Sequence, residues 1–380
     1  MPRQTERLPL VTAAPGSRQE LIVHHYGTAD ARPKAYLQAS LHADETPGML
    51  VQHHLMGLLE AAEADFAIRG EILLVPYANP IGLAQQVNAR LVGRYDMAGG
   101  GNFNRNWPDL FGPVAEKLEG RLGPDAESNV ALIRSAMTAH IDGLKAGTPL
   151  DSLRLALARL AADADIVLDL HCDDDALMHL FLVPAHWPQG ADLAAELGCR
   201  AVMLSADSGG ASFDETFSTP WTKLAERFPE AAIPPACFSG TVELRGQADV
   251  SDDLAEKDAK ALFRFLQRRG VVAGDPGPLP EPSCEATPLE GCEAIKAPAT
   301  GVLSYETHLG DEIRKGQVIA YLVDPTAADP KHARRAITSS TDGLLLSRRA
   351  HKFVFPGFSV AKVVGTEPLP HLIGGSLLED

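Results

Sequence analysis

Three groups of residues in this chain have the types and spacing that metal-assisted hydrolysis needs. The first is the pair His42 and Glu45 in LQASLHADETPG, where an imidazole and a carboxylate three residues apart follow a short apolar run and enter a turn containing Pro and Gly. Both are good zinc ligands, and a catalytic zinc commonly takes three protein ligands and keeps one position open for water. The spacing alone is weak, because H-x-x-E arises by chance in many chains. The second is His171, which ends DADIVLDLH. The carboxyl end of a buried strand is where an α/β sheet presents residues to a ligand. Asp169 lies two residues earlier, faces the same side, and could accept the outward N–H of a metal-bound histidine. From the residues alone, a polar strand end solvated by Asp173, Asp174 and Asp175 reads equally well. The third is Glu243 in GTVELRG, a carboxylate able to accept a proton from an activated water. Arg245, at i+2, is expected to share its face; an ion pair at a strand end is the plain alternative.

A fourth segment, GRYDMAGGGNFNRNWPDL, carries Arg94, Asn102, Asn104 and Arg105 behind three consecutive glycines. Its backbone is free to wrap a ligand, and the planar fork of Arg105 suits a carboxylate. Taken alone, such a segment is more often a solvated loop. Other histidines take the plain reading: His54 is expected on the packed side of a helix, His53 and His140 on exposed faces, and His24 and His25 in a strand, while His179 and His186 are too weakly placed to assign.

These residues need rigid elements to hold them. Ala35 to Leu41, Glu71 to Pro76, Ile166 to Leu170, Leu177 to Val183 and Ala236 to Leu244 read as strands. Pro47 to Ala64 reads as a helix with Pro47 in its first turn and Leu50, Val51, Leu55, Leu58 and Leu59 on one face. Ala126 to Leu144 and Leu150 to Ala162 are helical, and Ser251 to Arg269 has a Ser cap, an acidic first turn and basic residues at its end. Strands alternating with helices predict a mixed, mostly parallel sheet flanked by helices. The expected division is a first domain over residues 1–272, a Pro/Gly-rich linker over 273–293 and a small all-β domain over 294–380. Within the last, Ile295 to Asp324 and Ile337 to Val364 resemble each other, with Gly301 matching Gly343 and Gly316 matching Gly357, which predicts internal two-fold symmetry.

Composition narrows the partners. The 380 residues are 45% apolar and 22% charged, those of a folded globular chain. The net charge of −16 argues against nucleic acid and anionic membrane as partners. No apolar run reaches a membrane span and the start has no signal-like apolar region, so a cytoplasmic location is the default. Five cysteines at irregular spacing read as free thiols, with Cys172 notable only as the neighbour of His171.

HADE at His42 to Glu45, NPIG at Asn79 to Gly82, NFNR at Asn102 to Arg105, DLH at Asp169 to His171 and VEL at Val242 to Leu244 occur in one order along the chain. Together they resemble the succinylglutamate desuccinylase/aspartoacylase family, which is similar in fold to the zinc carboxypeptidases. The resemblance covers roughly residues 20 to 270. It implies that His42, Glu45 and His171 bind one Zn2+ per chain and that Glu243 is the general base. It further implies that Asn104 and Arg105 hold the carboxylate of a small N-acyl amino acid, and that Arg94 steadies the oxyanion as the amide is cleaved. The chain departs from the family pattern at Asn102, where Asp is common, at Arg245, where a small residue or Gly is usual, and in the glycine-lengthened stretch before Asn104. Since a cation beside Glu243 would weaken it as a base, Arg245 is expected to engage substrate or a neighbouring acid.

The C-terminal halves resemble a biotinyl/lipoyl-type β domain. Lys331 lies in the long connection between them without flanking methionines, which argues against a carrier and for a structural or assembly role, including a homo-oligomer or shaping of the zinc cleft. The competing functions are a zinc carboxypeptidase acting on peptides and a non-catalytic binding or carrier protein.

Overall fold

Apolar runs with β-branched residues become the centre of a nine-stranded sheet. The computed structural model describes residues 3–372. Across the sheet the order is Gln4–Pro9, Glu20–Gly27, Glu71–Val75, Lys34–Ala39, Ile166–Asp173, Phe238–Gly246, His179–Leu182, Ala201–Leu204 and Ala286–Pro288. The four central strands, from Glu71–Val75 to Phe238–Gly246, pair in parallel. An antiparallel hairpin covers one side, and His179–Leu182 joins antiparallel on the other. The three inner strands Lys34–Ala39, Glu71–Val75 and Ile166–Asp173 are buried almost throughout, as strands covered by helices on both faces must be.

Helices on the two faces form separate cores. Pro47–Ala64 places Val51, Leu55 and Leu59 on the sheet, with Leu50 and Leu58 packed at the margin. Beside it, Asp252–Arg268 adds Leu262, Phe265 and Leu266, its N-terminus capped by Ser251. On the other face lie Ala126–Gly143, Pro149–Ala161 and Phe213–Arg227, contributing Ile133, Leu153, Leu157, Phe217 and Trp221. Thr148 and Asp151 close a capping box at the start of Pro149–Ala161. His54 is half-buried and contacts Asp252 at 3.0 Å, tying the first pair of helices together rather than packing among apolar groups.

Within the stretch expected as a linker, Ala286–Pro288 is the edge strand of the main sheet and Cys292–Lys296 already belongs to the C-terminal sheets. Pro288 sits at that edge, where a missing N–H costs no ladder bond.

The C-terminal strands follow the repeat. Gly301–Tyr305 and Val318–Val323 in one half correspond to Gly343–Arg348 and Ser359–Val364 in the other. Gly316 and Gly357 each sit two residues before the last strand of their half, at φ +83° and +85°, a backbone region that favours glycine. The halves exchange strands: Glu312–Ile313 of the first pairs with Gly343–Arg348 of the second, and Phe353–Val354 of the second pairs with Gly301–Tyr305 of the first. Asp175–Ala176, in the segment that links two strands of the main sheet just beyond His171, pairs with Gly343–Arg348, so that segment is hydrogen-bonded into the β domain. Among the described residues no helix is long and apolar enough to cross a membrane.

Candidate active site

The ends of the central strands bring the chemistry together. His42 follows Lys34–Ala39 in a turn, His171 lies near the end of Ile166–Asp173, and Glu243 stands beside His171 in register on the next strand. His42, Glu45 and His171 are all buried, and one ligand atom from each lies within 4.8 Å of the others. Glu45 is the hinge of the group: Oε1 is 2.9 Å from His42 Nδ1, and Oε2 is 2.7 Å from His171 Nδ1. The backbone N–H of Cys172 also donates to Glu45 Oε2, at 3.2 Å.

The far nitrogens of both rings face outward onto acceptors. His42 Nε2 is 2.9 Å from Asn102 Oδ1, which also accepts the backbone N–H of Asn104 at 2.8 Å. That second bond identifies the atom as the amide oxygen, so Nε2 carries the proton and Nδ1 is left with its lone pair toward Glu45. His171 Nε2 lies 2.8 Å from Asp169 Oδ2. Asp169 is held in turn by Gln38 Nε2, which donates at 3.0 Å, and Gln38 Oε1 accepts from the Tyr36 hydroxyl at 2.7 Å. A metal ligand whose second nitrogen is fixed by a carboxylate or amide is the usual supporting arrangement. Two histidines and a glutamate form a donor set that zinc accepts, and the residues present fit such an ion.

The charges agree. Burial holds the His42 imidazole below its ordinary value, keeping it neutral as a ligand must be. Burial would push the Glu45 carboxyl up, but His42 and His171 outweigh it and hold it well below the usual carboxylate range. Burial acts to lower His171, and Asp169 and Glu45 reverse this, holding the imidazole well above its ordinary value. Arg94, more exposed at the mouth, brings Nη1 to 3.2 Å from Glu45 Oε1. Two cationic groups thus gather on Glu45, on the atoms that would face a metal.

Glu243 has a buried Oε2 with no partner among the described residues. Burial, then the charge of Glu45, pushes its carboxyl up to about 8. Arg245 does not share its face, contrary to the period-two expectation. The strand shifts register between Glu243 and Gly246, and Arg245 takes φ +65°. The side chain turns to helix Asp252–Arg268, where its two terminal nitrogens donate to Asp258 at 3.2 and 2.5 Å. Of the two expected partners, the structure supplies the neighbouring acid. The left-handed backbone explains why glycine suits this position. Because Asp258 is only 2% exposed, Arg245→Ala should cost about 3 kcal/mol by stranding a buried charge. Urea unfolding should register that loss while the KM for any substrate stays within about two-fold; a selective rise in KM with stability intact would restore a substrate role.

The NFNR loop lies against the cluster. Asn104 Oδ1 accepts from the Phe213 backbone N–H at 2.8 Å and from Trp107 Nε1 at 3.2 Å, and its Nδ2 is 3.5 Å from His171 Nε2. Its amide therefore pins the loop to helix Phe213–Arg227 and borders His171. The neighbouring Arg105 is buried, with Nη1 donating to the Asn104 carbonyl at 2.7 Å. Gly210 presses on its side chain so closely that an added Cβ would lie 2.7 Å from Cδ and Nε, so the loop at 205–212 needs glycine there.

Beyond a polar Gln inside the apolar strand KAYLQA, Tyr36 and Gln38 carry no signal of this role in the sequence, and Asn102 is visible there only as part of NFNR, not as the partner of His42. That partnership arises only when a loop sixty residues away folds over His42.

The succinylglutamate desuccinylase/aspartoacylase catalytic-domain model matches residues 31–130, the segment carrying His42, Glu45, Arg94 and NFNR. A solved protein from Shewanella amazonensis, assigned to the same family, superposes with a TM-score of 0.84 at 26% identity, covering 96% of this chain and 98% of that one. Over residues 31–130 the chain is similar to the succinylglutamate desuccinylase/aspartoacylase family, and its whole fold is similar to that of the Shewanella protein. The N-alpha-acetyl-L-2,4-diaminobutyric acid deacetylase of Halomonas elongata is 24% identical to this chain over 343 residues, 87% of this chain and 82% of the relative. The product-bound ectoine utilization protein EutE (DoeB) of Ruegeria pomeroyi shares the fold, with a TM-score of 0.67 at 18% identity over 96% of this chain and 95% of that one. The chain is thus similar to enzymes that hydrolyse amides.

Proposed function

We propose that the chain is a zinc-dependent deacylase that cleaves the amide bond of a small N-acyl amino acid. The observation that carries this reading is the buried His42–Glu45–His171 group with an unpartnered Glu243 oxygen in register beside it. A zinc ion held by these three residues would acidify a water molecule and polarise the acyl carbonyl. Glu243 accepts the water's proton and returns it to the departing amine. Its raised pKa suits the return step, and a dication beside Glu45 would offset the negative charge that raises it. Arg94, at the mouth, supplies positive charge where the carbonyl oxygen becomes anionic. Arg105 receives the substrate carboxylate, and Asn104 holds the loop that presents it.

The C-terminal strands are read as a biotinyl/lipoyl-like domain serving structure rather than carriage by Lys331. The protein is read as acting in the cytoplasm on free metabolites.

The test is a panel of N-acetyl and N-succinyl amino acids, including Nα-acetyl diamino acids, against dipeptides and longer peptides, with zinc-loaded protein. At least one N-acyl amino acid should be cleaved far faster than any peptide. Preference for peptides, or no turnover across the panel, would overturn the reading. On the preferred substrate, Arg105→Ala should raise KM about 10- to 100-fold, the loss of a charge-assisted contact. Arg105→Lys should restore little of it, since an ammonium lacks the planar fork. An unchanged KM in Arg105→Ala would remove the carboxylate clamp from the account.

A further inference from the structure

Three consecutive aspartates follow His171, and each meets a different cation from the C-terminal β domain. Lys362 Nζ is 2.6 Å from Asp173 Oδ2, Arg349 Nη1 is 3.9 Å from Asp174 Oδ2, and Arg348 Nη2 is 2.9 Å from Asp175 Oδ2. The acidic run is therefore a docking strip rather than a solvated strand end. Behind it Leu346, Val364, Leu289 and Cys292 pack on Ala201 and Met203 of the main sheet.

The pairs are not equivalent. Asp173 is paired with Gly246 in the ladder that sets Glu243 beside His171, whereas Asp174 and Asp175 lie beyond that ladder, where the Gln247 backbone N–H donates to the Asp174 carbonyl at 3.1 Å. Asp173 is two residues from His171 and shares its face. His179, opposite Glu243 on the other neighbouring strand, completes the surroundings. Its Nδ1 donates to the Leu177 carbonyl at 2.8 Å, and its Nε2, like Glu243 Oε2, is buried with no partner among the described residues. Lys362 and Asp173 are near enough for their charges to act on both Glu243 and His179.

We infer that Lys362 is a positioning residue for the hydrolytic centre. Through its ion pair with Asp173 it fixes the end of the strand that carries His171 and the spacing between His171 and Glu243, so the β domain completes the active site. This rests on the deacylase reading above. Arg348 and Arg349 only dock the domain.

The test uses full-length protein loaded with Co2+ in place of zinc, so that the visible absorption band reports the geometry at His171 independently of turnover. Lys362→Met should lower kcat at least about ten-fold, the scale of losing an outer support of a metal ligand. KM should stay within about two-fold, and the cobalt band should shift. Lys362→Arg should recover most of kcat. Arg348→Met should lower thermal stability but leave kcat and the band unchanged. Should Lys362→Met fail to fold, Asp173→Asn/Lys362→Met removes both charges together and should show the same loss of kcat and the same shift. Equal effects of Lys362→Met and Arg348→Met, or a wild-type kcat and band in either Lys362 variant that lacks the charge, would overturn the inference. If wild-type protein binds Co2+ but cleaves no N-acyl amino acid, the proposed reaction fails, and the comparison of bands still decides the role of Lys362.

Discussion

Glu243→Gln is expected to lower kcat about 10³-fold while leaving the metal content unchanged. Glutamine keeps the size of the side chain but cannot accept a proton, and general base catalysis contributes on this scale. The proposed ligands His42, Glu45 and His171 are untouched, so loss of zinc together with activity would point to a structural role instead. The same substitution should change stability with a definite sign. In the metal-free protein, burial and the charge of Glu45 push the Glu243 carboxyl up to about 8, whereas in the unfolded chain it titrates near an ordinary glutamate value. Between those values the folded state binds a proton that the unfolded state has lost, so folding stability falls as pH rises from about 4.5 to 8. Glu243→Gln removes that loss. Metal-free variant and wild type should have similar stability at pH 4.5. The variant should be more stable at pH 8 by on the order of a few kcal/mol, read from urea midpoints. A variant less stable than wild type at pH 8 would contradict the burial of Glu243 Oε2 without a partner among the described residues.

The second large effect concerns the metal itself. His171→Ala removes one of the three proposed ligands and should reduce both zinc content and turnover to background. His171 also sets a proton signal. Burial acts to lower it, but Asp169 and Glu45 hold it well above its ordinary value, which favours the imidazolium in the metal-free protein. A ligand must be neutral. Zinc added to metal-free wild type in weak buffer at pH 7 should therefore release at least about one proton per chain, from His171 and from Glu243 as its carboxyl is relieved of the charge of Glu45. His171→Ala should release none. Zinc at about 1,000 times its dissociation constant should stabilise the wild type by about 4 kcal/mol, and the variant not at all. Full zinc retention by His171→Ala would place the ion elsewhere.

Much of this centre was legible because its residues sit where periodicity points. Ile166–Asp173 and Phe238–Gly246 are apolar runs that end in chemistry, and His42–Glu45 lies between a buried strand and a helix opened by Pro47. What escaped were interactions made only by the completed fold. Asp173 reads as solvated until Lys362, 189 residues later, is brought to it. Arg245 was assigned to the wrong face because period two fails across a register shift and a left-handed residue. Helix Phe213–Arg227 was hidden by Pro220 within it. The N-terminal strand QTERLP was hidden by its polarity, which an exposed edge strand can carry.

The central claim is that His42, Glu45 and His171 hold one catalytic zinc. An anomalous-difference map from a crystal of zinc-loaded protein, collected across the zinc absorption edge, tests it most directly. The expected result is a single strong peak per chain, in contact with His42 Nδ1, a Glu45 carboxylate oxygen and His171 Nδ1. A loaded crystal with no peak there, or with its peak on other residues, would contradict the account.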